Sequence, residues 1–130
     1  MKVLALDYGR ARTGIAVSDP TGTLARPVGV VEHVRTERGL GQLADLIAEQ
    51  DVERIVVGLP LTLRGERGEQ ARETEEFIEA LAAVTDVPVT AFDERFTTDL
   101  AEQSPSDAAE DALAAAHLLS SYLTWASARA

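Results

Sequence analysis

The chain has 130 residues, no cysteine and a formal charge of −10. That length suits a single domain over residues 1–130 with one core and no staples, and the lack of cysteine excludes disulfides and thiolate metal sites. The acidic balance argues against a broad basic surface for nucleic acid. The distribution of charge weakens that exclusion, because residues 1–40 carry six basic against four acidic side chains, and eleven of the twelve basic residues are arginine, the side chain suited to bidentate phosphate contacts.

The first apolar run, residues 3–6, ends at Asp7-Tyr8-Gly9 and predicts a central strand entering a turn. It is short and meets an aspartate at once, so it supports neither a secretory signal nor a membrane span; a cytoplasmic protein with no membrane partner is expected. Residues 13–19 predict a second strand, and Pro20-Thr21-Gly22 a turn. Residues 24–31 predict a third strand interrupted by Pro27, which suits an edge or a bulge. Thr36 is placed to cap a helix running to about residue 50, with Leu40, Leu43, Leu46 and Ile47 at helical spacing.

Residues 54–58 predict a buried strand ending at Gly58-Leu59-Pro60. A polar loop over residues 61–68 precedes a second helix, about 69–84, with Phe77, Ile78 and Leu81 inward. Residues 87–92 predict a strand running into Asp93-Glu94-Arg95. A short helical piece follows Thr97, and a last helix is expected from about 106 to 126, with Ser104 or Ser106 as its cap. The order β-β-β-α-β-α-β-α implies an α/β fold, a mixed sheet flanked by helices. In such sheets ligand chemistry gathers at the carboxyl ends of the parallel strands, where Asp7, Gly58, Asp93 and Glu94 would stand.

Asp7-Tyr8-Gly9-Arg10-Ala11-Arg12-Thr13-Gly14, Gly58-Leu59-Pro60, Asp93-Glu94-Arg95-Phe96-Thr97-Thr98 and Asp111-Ala112-Leu113-Ala114-Ala115 occur in this order at compatible spacing. Together they resemble the YqgF (RuvX) family, whose members are assigned to Holliday junction resolution and to pre-16S ribosomal RNA maturation, and which has a ribonuclease H-like fold. The resemblance implies a ribonuclease H-like mixed five-stranded sheet and a nuclease in which Asp7, Glu94 and Asp111 are both the catalytic and the metal-holding residues, with Mg²⁺ or Mn²⁺ as cofactor. Clustered carboxylates without basic partners suit such hard cations. Arg10, Arg12, Thr62, Arg64 and Arg95 are candidate substrate-binding residues. The partner expected is nucleic acid, RNA in preference to branched DNA, since symmetric nicking of a junction would require a homodimer that nothing in the sequence specifies.

Several residues also carry plainer readings. Asp7 and Gly9 suit an ordinary strand-end turn, and Asp93 suits a strand-to-helix loop. Alternation along a strand sends Asp93 and Glu94 to opposite faces, and the resemblance favours Glu94 as the ligand, leaving Arg95 to hold a carboxylate or meet a phosphate. Asp107, one turn before Asp111, suits an ordinary helix-start acid. One departure from the family stands out: residues 99–110 are short and acidic, where relatives carry a longer basic stretch. Two other functions remain in view, a non-catalytic binding factor on the same scaffold and one half of an actin-like ATPase, although the latter needs a second domain.

Overall fold

The computed structural model describes residues 1–96 and 108–129. The expectations for Thr97, Thr98, Ser104, Ser106 and Asp107, and most of the shortened acidic stretch, fall outside the described residues. Three strands come first: β1 (Val3–Asp7), β2 (Arg12–Ser18) and β3 (Ala25–Glu32). Helix α1 (Glu37–Gln50), strand β4 (Arg54–Leu59), helix α2 (Glu69–Ala82) and strand β5 (Val89–Asp93) follow, then a single 3₁₀ turn (Glu94–Phe96) and helix α3 (Ala108–Ser127). The sheet order is β3-β2-β1-β4-β5, with β1–β2 and β2–β3 antiparallel and β1–β4 and β4–β5 parallel.

Local chemistry explains the boundaries. Thr36 caps α1 as expected, its hydroxyl oxygen accepting from the Gly39 N–H at 3.0 Å. Strand β3 lies at the edge, and the register slips where Ile15 faces Gly29 and Ala16 faces Pro27, so Pro27 sits at a bulge. Leu24 stays outside the strand and exposed, because its N–H turns to Asp19 Oδ1 at 3.0 Å in the preceding turn. Strand β5 starts two residues later than expected, at Val89, and α2 ends at Ala82.

Alternation along the strands splits the core into two layers. Leu4, Leu6, Ile15, Val17, Ile55 and Val57 pack with Leu43, Ile47, Phe77 and Leu81 from α1 and α2. Val3, Ala5, Ala16, Val56 and Phe92 pack on the other face with Ala115, Ala116, Leu118, Leu119 and Tyr122 of α3. That second face carries small side chains where α3 crosses it, so the helix packs closely on β1 and β2. Phe92 meets the rings of Tyr122 and Trp125 edge-on, with centroids 5.5 and 5.6 Å away, which makes both aromatics part of the packing. Among the described residues no helix is long and apolar enough to cross a membrane.

Candidate active site

The same alternation fixes where the acidic groups point. Asp7 follows Val3 and Ala5 on the face covered by α3, and it is paired in register with Gly14 of β2. A Cβ at Gly14 would collide with the backbone carbonyl oxygen of Asp111, so glycine here is what lets α3 reach the sheet next to Asp7. Gly58, next to last in β4, has a comparable role. A Cβ there would meet the carboxylate of Glu94, with Cγ at 2.9 Å and Cδ at 3.0 Å, so the missing side chain is the space that Glu94 occupies.

Asp7 and Glu94 come together at one cleft, close enough for each carboxyl group to act on the other. Burial is the main cause that raises Asp7 above the usual carboxylate range, and the nearby charge of Asp111 adds to it while the Glu94 side chain opposes it. Burial, then the charge of Asp7, pushes Glu94 up to about 7. Asp111 stands near enough to act on Asp7 through space, but its Oδ2 accepts from Arg12 Nε at 2.8 Å. Among the described residues no three acidic or histidine side chains converge closely enough to hold a metal as they stand.

The donor chemistry nonetheless fits a hard divalent cation. Two half-buried carboxylates stand side by side, both raised by burial and so inclined to keep a proton, and a third carboxylate is held nearby by a monovalent cation, Arg12. A divalent ion could replace both the proton that burial favours on the pair and the arginine. Oxygen ligands of this kind suit hard divalent cations.

A cleft of about 570 Å³ opens over the pair, lined by Asp7, Gly9, Arg10, Gly58, Glu73 and Glu94, among others. Arg10 stands at its rim, with Nε 2.9 and 3.0 Å from the two Glu73 oxygens. Tyr8 stacks on Phe77 with centroids 4.8 Å apart, which anchors the turn after β1 to α2. Arg95 closes on Asp93: its Nε is 3.1 and 3.0 Å from the two oxygens and its Nη2 2.6 Å from Oδ2. The two adjacent acids therefore separate, Asp93 to Arg95 and Glu94 to Asp7. The separation is the one that strand alternation predicts, and the chain passes from strand to 3₁₀ turn between the two acids.

Of the other sequence candidates, Arg64 and Thr62 lie in the loop between β4 and α2, Arg64 exposed and Thr62 at its base. The Thr62 hydroxyl oxygen accepts from the Glu66 N–H at 3.0 Å. Glu73 was not among the candidates. Its signal was its position four residues after Glu69, on one face of α2.

A five-stranded mixed sheet of this order, with acids at the carboxyl ends of two parallel strands and a helix acid opposite, is a ribonuclease H-like architecture. Residues 1–125 match the family described as RuvX, Holliday junction resolvase, and the chain belongs to that family. A Chloroflexus aggregans protein described as "Putative pre-16S rRNA nuclease" is 48% identical over 101 residues, covering 78% of this chain and 71% of its own. A Sulfurihydrogenibium protein with the same description is 40% identical over 131 residues, covering 94% and 89%. The Thermus thermophilus RuvC structure in complex with a Holliday junction substrate matches the fold with a TM-score of 0.62 at 17% identity, over 97% of this chain and 96% of that one.

Proposed function

We propose that this chain is a divalent-metal-dependent nuclease acting in the cytoplasm on the 5′ end of pre-16S ribosomal RNA. The observation that carries the reading is the half-buried Asp7–Glu94 pair facing one cleft, at the end of β1 and just beyond the end of β5, with Asp111 in electrostatic range. Such a pair is unfavourable unless a proton or a cation sits with it.

Asp7, Glu94 and Asp111 would hold Mg²⁺ or Mn²⁺, which supplies Lewis-acid stabilisation of the phosphate and an activated water. The chain's own groups do the rest. Ionisation of Glu94 opens the pair for the ion. Arg12 leaves Asp111 for a substrate phosphate, so one cation replaces another at each anion. Arg10 and Arg64 position the phosphate backbone from the rim and the adjoining loop, while Arg95 holds Asp93 and with it the strand end. Backbone-directed recognition of this kind weakens as salt rises.

RNA is favoured by the relatives' description and by the net charge of −10, which suits a local grip on one strand better than a wide grip on four arms. The family's own description favours a second reading, resolution of a four-way DNA junction, for which two copies of the chain would have to present two sites to one substrate. The test is cleavage of end-labelled pre-16S RNA, single strands and a four-way junction with Mg²⁺, Mn²⁺ or chelator. Metal-dependent cutting of the RNA is expected. Cutting confined to the junction selects the second reading, and no cutting of any substrate sinks the nuclease.

A further inference from the structure

We propose that Leu63 is an apolar wedge that enters a base step of paired RNA beside the cleavage site and opens the strand toward the carboxylate pair; this rests on the nuclease reading above. Leu63 is 95% exposed, more than any other exposed large apolar side chain among the described residues. Its exposure is built by hydrogen bonds. The Thr62 N–H donates to Glu66 O at 3.0 Å, the Gly65 N–H to Thr62 O at 2.8 Å, and the Glu66 N–H to Thr62 Oγ1 at 3.0 Å. Gly65 takes φ +81°, which an L side chain rarely adopts. These features close a tight turn with Leu63 and Arg64 at its apex.

The apex is tied to the candidate site. Arg95 Nη1 donates to Leu63 O at 3.4 Å, and the same guanidinium grips Asp93, the neighbour of Glu94. Pro60 at the start of the loop and Glu69 just after its end both line the cleft that holds Asp7 and Glu94. The turn therefore stands on the rim of the cleft with a leucine facing out.

The chemistry around Leu63 selects the occupant. A protein partner is recognised through a contiguous apolar patch, whereas Leu63 is exposed between the exposed polar residues Thr62 and Arg64, and Leu61, two residues earlier, is partly buried. Arg67 is engaged by Glu75, its Nη1 3.0 Å from Oε2, so the cation beside the leucine is Arg64. An apolar side chain next to an exposed arginine suits a base step next to a phosphate, the leucine replacing part of the stacking and Arg64 meeting the backbone. Wedges of this kind unstack and kink a duplex. They would serve an enzyme whose substrate end is paired and must be separated before it reaches the cleft.

The test uses the Asp7→Asn chain with Mg²⁺, so that RNA is bound and left uncut, and a hairpin with a single-stranded 5′ extension carrying 2-aminopurine at successive positions across the junction. Fluorescence should rise at one position. Adding Leu63→Ala should lower that rise about threefold, and Leu63→Phe should restore it. With Asp7 intact, the ratio of hairpin to single-strand cleavage rates should fall about tenfold in Leu63→Ala. A rise indifferent to Leu63→Ala, or fully kept by Leu63→Asn, overturns the wedge. A rise confined to a labelled four-way DNA junction overturns RNA as its substrate. If no RNA is cut but the rise still depends on Leu63, the nuclease reading fails and the wedge stands.

Discussion

Arg12 and Asp111 meet where β2 passes under α3, with the guanidinium Nε 2.8 Å from Asp111 Oδ2. The helix backbone is held close at the same point, because Gly14, two residues after Arg12, abuts the Asp111 carbonyl. On the proposed reading, Arg12 stands where a metal ion would meet Asp111. Arg12→Gln should tighten Mn²⁺ binding in the absence of nucleic acid about tenfold, read by calorimetry, while weakening RNA binding. Unchanged or weaker metal binding would show that Arg12 does not compete.

The Asp7–Glu94 pair also sets a pH dependence. Glu94 rises from its ordinary 4.5 to about 7, so between those values the folded chain binds more protons than the unfolded one. Stability of the metal-free protein is then greatest below pH 4.5 with respect to this group, and it declines as pH rises from there through 7. Glu94→Gln should remove that decline, a difference on the order of 2 kcal/mol at pH 8 and near zero at pH 4. Urea unfolding at the two pH values measures it, and equal effects of the substitution at both would refute the burial argument.

Gly58 should be intolerant of even one added carbon for reasons local to the site. Gly58→Ala puts a methyl group against the Glu94 carboxylate, which has to move away from Asp7. Metal affinity should fall about tenfold or more with a stability loss of roughly 1 kcal/mol, at the low end of what core overpacking costs. Gly14→Ala meets backbone on α3, which cannot swing aside, and should cost about 3 kcal/mol. Thermal unfolding and metal titration of both variants separate the two. Equal stability losses would mean that Gly58 is a structural glycine only.

Much of the architecture was legible because it is written in short-range patterns. Apolar runs leading to Asp7, Gly58 and Asp93 marked the strand ends, Thr36 announced α1, and Pro27 announced an edge with a bulge. The small residues Ala112, Ala115 and Ala116 are buried where the last helix packs closely on the sheet. What periodicity could not show were contacts between distant segments. Arg10 and Glu73 are 63 residues apart, Arg12 and Asp111 are 99 apart, and their pairing depends on which faces the helices present. Strand alternation also could not foresee that Glu94 would begin a 3₁₀ turn, so the route by which it reaches Asp7 was visible only in three dimensions.

The central claim is that the carboxylate pair holds the metal for phosphodiester cleavage. Its most direct test is the cleavage rate of end-labelled pre-16S RNA in Mn²⁺ by the unaltered chain and by Asp7→Asn, with folding of both checked by thermal unfolding. A loss of about 10³-fold or more in the variant, matched by chelation of the unaltered chain, is the predicted result. A folded Asp7→Asn protein that cuts the RNA as fast as the unaltered chain would contradict the account.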